Sequence, residues 1–264
     1  MSASFIEAEP GFAGPEFFRP LVKPVRFLLV RHGQSEGNAR GIVQGRLDLP
    51  LDATGRAQAA ALGPWIAAQG PSVILASPLA RAAETARIVR AACASDSDAR
   101  GEGGAARAEF GARLGESNAP GPRFRLESLL AELDTGPFTG LSLDEAAQLH
   151  PMAHAGFLRE SWDGVPGAEA SIELYARAIR AWELLREEAI GGASVVVAFT
   201  HGGFLQWLIK ATMGVRTWMP LFPMGNCGVS ELDVRPQPGA GLLLAWRRID
   251  FHPQGVMAAV SPVF

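Results

Sequence analysis

Two short segments hold the residues best suited to covalent chemistry: Arg31-His32-Gly33-Gln34-Ser35-Glu36-Gly37-Asn38 and Thr200-His201-Gly202-Gly203. Each sets a histidine directly before a glycine. A neutral imidazole is a good nucleophile near neutral pH because its ordinary pKa is about 6.5, and a neighbouring glycine lets a ligand approach the backbone closely. One histidine of this kind reads as a satisfied polar group at a strand end; two in equivalent settings point to a shared site. A third segment, Ser77-Pro78-Leu79-Ala80-Arg81, supplies a cation. Ser77 can cap a helix and Pro78 can take its first position, which puts Arg81 in the first turn. A positive charge there opposes the helix dipole by about 0.3 to 1 kcal/mol, so a bound anion would account for it. The plain alternative is an exposed ion pair with Glu84.

These segments need elements that bring them together. Residues 25–30 form a short, mostly apolar run that reads as a buried strand, and the first histidine loop follows it at once. A helix is predicted over 53–69, with Asp52 as N-cap and Gly70-Pro71 as its stop, and a second strand over 72–76. A third strand over 195–199 precedes His201. Before it, 170–190 reads as a helix with Ile172, Ala176, Ile179, Trp182 and Leu185 along one face and Gly191-Gly192 at its end. Helices alternating with short apolar strands predict an α/β domain, a three-layer α/β/α sandwich around a mostly parallel central sheet. Ligands on such sheets bind at the C-terminal edge of the strands, where both histidines fall.

The expected organisation is one catalytic domain over residues 25–264, preceded by an N-terminal extension, 1–24, whose Phe12, Phe17 and Phe18 can pack on the body or a partner. A stretch rich in Gly, Ala, Ser, Asp and Arg over 94–123 reads as a long inserted loop. The 264 residues are 48% hydrophobic, enough to cover one sizeable core. The net charge of -3 comes from dispersed charges of both signs, which argues against nucleic-acid binding. Cys93 and Cys227 lack the spacing of a disulfide framework or a zinc knuckle, and fit a reducing compartment. No basic, apolar leader opens the chain and no apolar run is long enough to span a bilayer, so the expectation is a cytoplasmic protein without a membrane partner.

The motifs resemble those of the histidine phosphatase superfamily, in the branch that contains cofactor-dependent phosphoglycerate mutases and fructose-2,6-bisphosphatase. The resemblance begins with Arg31-His32-Gly33-Gln34-Ser35 and Asn38, and continues through Gln44-Gly45-Arg46, Asp48, Pro50-Leu51, Gly55, Ser77-Pro78-Leu79, Arg81-Ala82 and Thr85-Ala86. It runs on through Glu132, Gly136, Gly140, Pro166-Gly167 and Glu169 to Thr200-His201-Gly202-Gly203, with Asn226-Cys227-Gly228-Val229 resembling the strand that follows. It implies a phosphoglycerate mutase-like fold in which His32 is the nucleophile and Arg31, Arg81 and His201, helped by Asn38 and Gly202, bind the phosphoryl group. Glu132 is then the proton donor, with Asp134 as its nearby competitor. Two guanidiniums and a second imidazole can hold the equatorial oxygens of a transferring phosphoryl group, so this chemistry calls for no metal and no cofactor.

Ala168-Glu169-Ala170 stands where many phosphatases of this kind have Gly-Glu-Ser, which removes a serine contact. The 133–200 segment looks compact, and its basic residues are only Arg159, Arg177, Arg180 and Arg186, the last three on a helix where a solvated face is expected. A mutase usually needs extra cations around a bisphosphorylated intermediate, so the reading favours a phosphatase acting on a small-molecule phosphate ester. The alternatives are mutase-type phosphotransfer and a non-catalytic phospholigand sensor. Candidate substrate contacts are Gln44, Arg46, Phe138 and Trp162, with Arg40 and Arg46 facing any second acidic group; for the aromatics, ordinary core is an equal reading. The sequence leaves the oligomeric state open, a dimer included.

Overall fold

In the computed structural model, which describes residues 11–99, 121–219, 221–237, 239, 241–253 and 256, six strands form one mixed sheet in the order β3-β2-β4-β1-β5-β6. The strands are β1 (Val25–Arg31), β2 (Val73–Ala76), β3 (Arg123–Leu126), β4 (Val195–Thr200), β5 (Val229–Gln237) and β6 (Gly241–Phe251). β3, β2, β4 and β1 run parallel, and β5 and β6 are added antiparallel. The predicted α/β sandwich with a mostly parallel sheet is therefore present.

Two helical layers cover the sheet because alternate strand residues point to opposite faces. On one side Leu28, Val30, Ile74, Ala76, Val197 and Phe199 pack against Ala59, Leu62 and Ile66 of α3 (Ala53–Ala68) and Ala86 and Val89 of α4 (Ala80–Ala99). On the other, Phe27, Leu29, Leu75, Val196 and Ala198 meet α7 (Ser171–Ile190) and α8 (Gly202–Met213). Trp182 of α7 is fully buried, stacks edge-on against Phe27 at 5.4 Å, and donates its indole N–H to Leu208 O at 2.8 Å. Its truncation to alanine would cost about 3 to 5 kcal/mol. The remaining helices are short: α1 (Pro15–Phe18), α2 (Glu36–Ala39), α5 (Leu143–Leu149) and α6 (Pro151–Glu160).

Several boundaries match the local chemistry. Asp52 caps α3 by accepting from Gly55 N at 2.7 Å, and α7 stops at Gly191. Others differ. The helix after Ser77 continues to Ala99, past the start of the loop expected at 94, because Cys93 is buried and the alanine-rich sequence propagates the helix; residues 100–120 lie outside the described residues. On α7 the buried face is Leu174, Tyr175, Ala178, Ile179, Trp182 and Leu185, while Ile172, in the first turn ahead of the core, is 71% exposed. In the N-terminal segment, residues 1–10 lie outside the described residues. From Gly11 on it docks: Phe18 is buried against Phe27 and Trp182, Phe17 lies beside Arg186, and Phe12 is half exposed. Among the described residues no helix is long and apolar enough to cross a membrane.

Candidate active site

Three parallel strands end level with one another, and this places the chemistry. β4 lies between β2 and β1, with Ala76 paired to Phe199 and Arg31 to Thr200. The ladder carries one step beyond the strands: His32 N donates to Thr200 O at 3.0 Å and Ser77 N to Phe199 O at 2.9 Å. His32, Ser77 and His201 thus stand side by side at the C-terminal edge, and the imidazole rings of His32 and His201 are 5.1 Å apart.

His32 is held in one tautomer. Its Nδ1 lies 2.6 Å from Gly33 O, an acceptor only, so Nδ1 carries the proton; Arg81 Nε donates to Nε2 at 3.2 Å. Nε2 therefore keeps its lone pair, which faces the Arg81 guanidinium. Burial, with Arg81 and Arg31 next in order, holds the His32 pKa well below its ordinary value, so the ring is neutral at physiological pH. His201 is lowered in the same direction by burial, Arg81 and His32. Its Nε2 is 2.7 Å from Ser77 Oγ, and its buried Nδ1 has no hydrogen-bond partner among the described residues.

Both site arginines are nearly inaccessible, and carbonyl oxygens orient them. Arg31 Nη1 donates to Met224 O. Arg81, 1% exposed, gives Nη1 to Leu47 O at 2.8 Å and Nη2 to Gly45 O at 2.9 Å. Burial lowers the Arg81 pKa to about 10, still charged near neutrality. The exposed pair with Glu84 is not formed; Glu84 binds Arg56 at 2.6 Å instead.

The pocket between these groups is lined by Arg31, His32, Asn38, Ile42, Val43, Gln44, Gly45, Arg81, Glu132 and Thr135. Asn38 sits in a capping box on α2, where its Oδ1 accepts from Ser35 N, Ser35 Oγ and Asn226 Nδ2, which leaves its amide N–H groups to face a ligand. Gln44 Oε1 lies 2.8 Å from the same Ser35 Oγ, whose single hydrogen serves one of the two amide oxygens at a time. Glu132, 7% exposed, accepts from Leu133 N at 3.0 Å and from Gly203 N and Phe204 N at 3.1 and 2.8 Å in the first turn of α8. A Cβ at 203 would strike Leu133 Cδ2 and lie 2.7 Å from Glu132 Oε1, so a larger residue there would displace these two side-chain ends. Asp134 turns away: its Oδ1 accepts from Gly136 N at 2.9 Å.

Two expected substrate contacts lie elsewhere. Phe138 and Trp162 are 0% and 1% exposed and pack on each other at 5.9 Å and on Phe157, in the core beneath α6 rather than on the pocket wall. Their bulk is spent on burial. Arg46 reaches the site's margin, donating to Glu132 O at 3.4 Å and pairing with Glu169 at 3.1 Å, and Arg40 ends α2 in solvent. Gly202 opens α8, and neither it nor His201, whose Nε2 is against Ser77, is among the pocket-lining residues. Arg177, expected on a solvated face, is 6% exposed and pairs with Glu169 at 2.8 Å. The carbonyls of Gly45, Leu47 and Met224, and the pocket-lining Ile42, Val43 and Thr135, were not singled out in the sequence; backbone acceptors leave no residue-type signal.

The model of the histidine phosphatase superfamily (branch 1) matches residues 27–100 and 106–247. The chain is 28% identical over 207 residues to the probable phosphoglycerate mutase GpmB of Salmonella paratyphi C, covering 78% of this chain and 83% of that one. Among solved structures it resembles YhfR of Bacillus stearothermophilus at 26% identity and a TM-score of 0.65, over 86% of this chain and 98% of that one. The fold is shared with a mycobacterial glucosyl-3-phosphoglycerate phosphatase at 23% identity and a TM-score of 0.66, over 86% and 99% of the two chains. The edge histidines, the buried arginines and the matched sequence agree, and the chain belongs to the histidine phosphatase superfamily, branch 1.

Proposed function

We infer that the protein hydrolyses small phosphomonoesters through a phosphohistidine at His32. The observation that carries this is the fixed tautomer of His32, whose Nε2 lone pair meets a guanidinium beside a pocket lined by Arg31, Arg81 and Asn38. Nε2 attacks phosphorus, the ester P–O bond breaks, and the departing oxygen takes a proton from Glu132. Arg31 and Arg81 hold the equatorial oxygens, and the His201 imidazole adds a donor to them. Water then attacks phosphorus and gives a proton to the Glu132 carboxylate as the P–N bond breaks. Inorganic phosphate leaves and His32 is regenerated.

The test is phosphate release over a panel that contains 3-phosphoglycerate, alkyl and aryl phosphates and phosphopeptides, with His32→Ala alongside. Turnover of one class, lowered at least about 10⁴-fold in His32→Ala, is the expected result. The relatives named as probable phosphoglycerate mutases make the competing outcome specific: phosphate redistributed between the carbons of phosphoglycerate, dependent on 2,3-bisphosphoglycerate, with no net release. Tight binding of the esters with no turnover of either kind would identify a phospholigand sensor.

A further inference from the structure

The proton donor sits on a segment with no regular structure of its own, and one buried ion pair holds that segment on both sides. Arg177 of α7 and Glu169 have side chains only 8% and 10% exposed. Their contact is bidentate, Nε to Oε1 at 2.8 Å and Nη2 to Oε2 at 2.9 Å. Arg177 Nη1 donates to Leu129 O at 3.0 Å and to Ala131 O at 2.6 Å, just before Glu132. Just after it, Glu169 Oε2 accepts from Asp134 N at 3.3 Å, and Glu169 N donates to Asp134 O at 2.9 Å. The guanidinium also lies 3.8 Å above the ring of Phe204, whose backbone N–H holds the Glu132 carboxylate.

A buried ion pair adds little net stability over apolar side chains of the same volume. Its distinctive property is direction: a planar fork satisfied on every side admits one placement of the groups around it. Here those groups are the backbone on either side of Glu132 and the ring beneath its hydrogen-bond donor. We propose that Arg177 and Glu169 are positioning residues that aim the Glu132 carboxyl at the leaving-group oxygen. Neither lines the pocket. The proposal rests on the reading of Glu132 as proton donor.

A positioning role for the acid separates substrates by their need for a proton. An alkoxide must be protonated as it leaves, whereas 2,4-dinitrophenolate departs without help. The measurement is kcat/KM, which reports the steps through leaving-group departure, for an alkyl phosphate and for 2,4-dinitrophenyl phosphate. Arg177→Lys keeps the charge and loses the fork; it is expected to lower the alkyl ester's value about 10²-fold and the aryl ester's less than about threefold. Glu132→Gln should show the same selectivity, and the double variant should be no worse on the alkyl ester than Glu132→Gln alone.

Equal losses on the two esters in Arg177→Lys, or losses that multiply in the double variant, would overturn the proposal while leaving Glu132 as the donor. Equal losses in Glu132→Gln itself would remove the donor reading, and the positioning role with it. The ratio of two rates on one sample does not depend on how much of it is folded. Should Arg177→Lys yield no folded protein, Glu169→Gln takes its place under the same criterion.

Discussion

Asp233 on β5 accepts from Arg26 at 3.1 Å, Arg235 at 2.6 Å and Arg247 at 3.2 Å, so each of these guanidiniums meets a carboxylate near the protein surface. Arg81 makes no ion pair among the described residues; two carbonyl oxygens and the His32 ring hold it in the interior. In the first cluster each guanidinium already has a carboxylate partner and stands near solvent, where screening weakens what its charge offers a further anion. In the second, carbonyl dipoles orient the guanidinium without neutralising it, so its charge remains for the phosphoryl group of the proposed reaction. A substrate-binding arginine is thus distinguished by its acceptors as much as by its burial. Arg177 belongs with the first kind although it lies beside the site, because Glu169 takes up its charge.

The contrast is sharpest in Arg81→Ala, expected to lose on the order of 10² to 10³-fold in kcat. Arg26→Ala should leave kcat unchanged, and a comparable loss there would erase the distinction. Next in size is ligand protection. Inorganic phosphate at about 100 times its Kd should stabilise the wild type by about 2.7 kcal/mol, seen as a rise in Tm, and the same concentration should protect Arg81→Ala far less.

A smaller effect is expected with pH. Burial first, and then the arginines, keep His32 and His201 neutral in the folded protein well below the usual pKa, whereas in the unfolded chain they protonate near 6.5. The unfolded state therefore binds more protons as the pH falls below about 6.5, and stability present above that value is lost toward the folded pKa values. Thermal melts from pH 7 to 5 should show Tm falling, with a shallower fall in Arg81→Ala because one cause of the depression is gone. The smallest effect belongs to Arg247→Ala, whose side chain is 47% exposed: less than about 1 kcal/mol of stability, read by denaturant titration, and no change in turnover.

His32, His201 and Arg81 were legible because each follows a short apolar strand at a turn-forming or capping residue, and parallel strands bring such positions to one edge. Asn38 and Gln44 were legible only through the resemblance to the family's motifs, and both line the pocket. Arg177 was misread because a 20-residue helix with charges on most sides does not announce which face meets a segment 46 residues earlier in the chain. Phe138 and Trp162 were drawn toward the substrate by their size, while the same size drives them into the core. β6 escaped notice because its apolar residues alternate only partly before Arg247 and Arg248, and its pairing with β5 slips between Val229 and Leu232.

Gly203 gives the site a weakness that residue-by-residue comparison would overlook. The close contact at this position involves Glu132 and Leu133, both buried, and neither His32 nor the two arginines. A single added carbon atom would press on the Glu132 carboxylate and touch neither His32 nor the arginines. On the reading of Glu132 as proton donor, a chain with a larger residue at 203 would lose leaving-group protonation with its histidines, arginines and glutamate all in place. In this architecture, an intact roster of reactive side chains does not by itself certify an enzyme; the methyl-sized gap beside the acid has to be counted too.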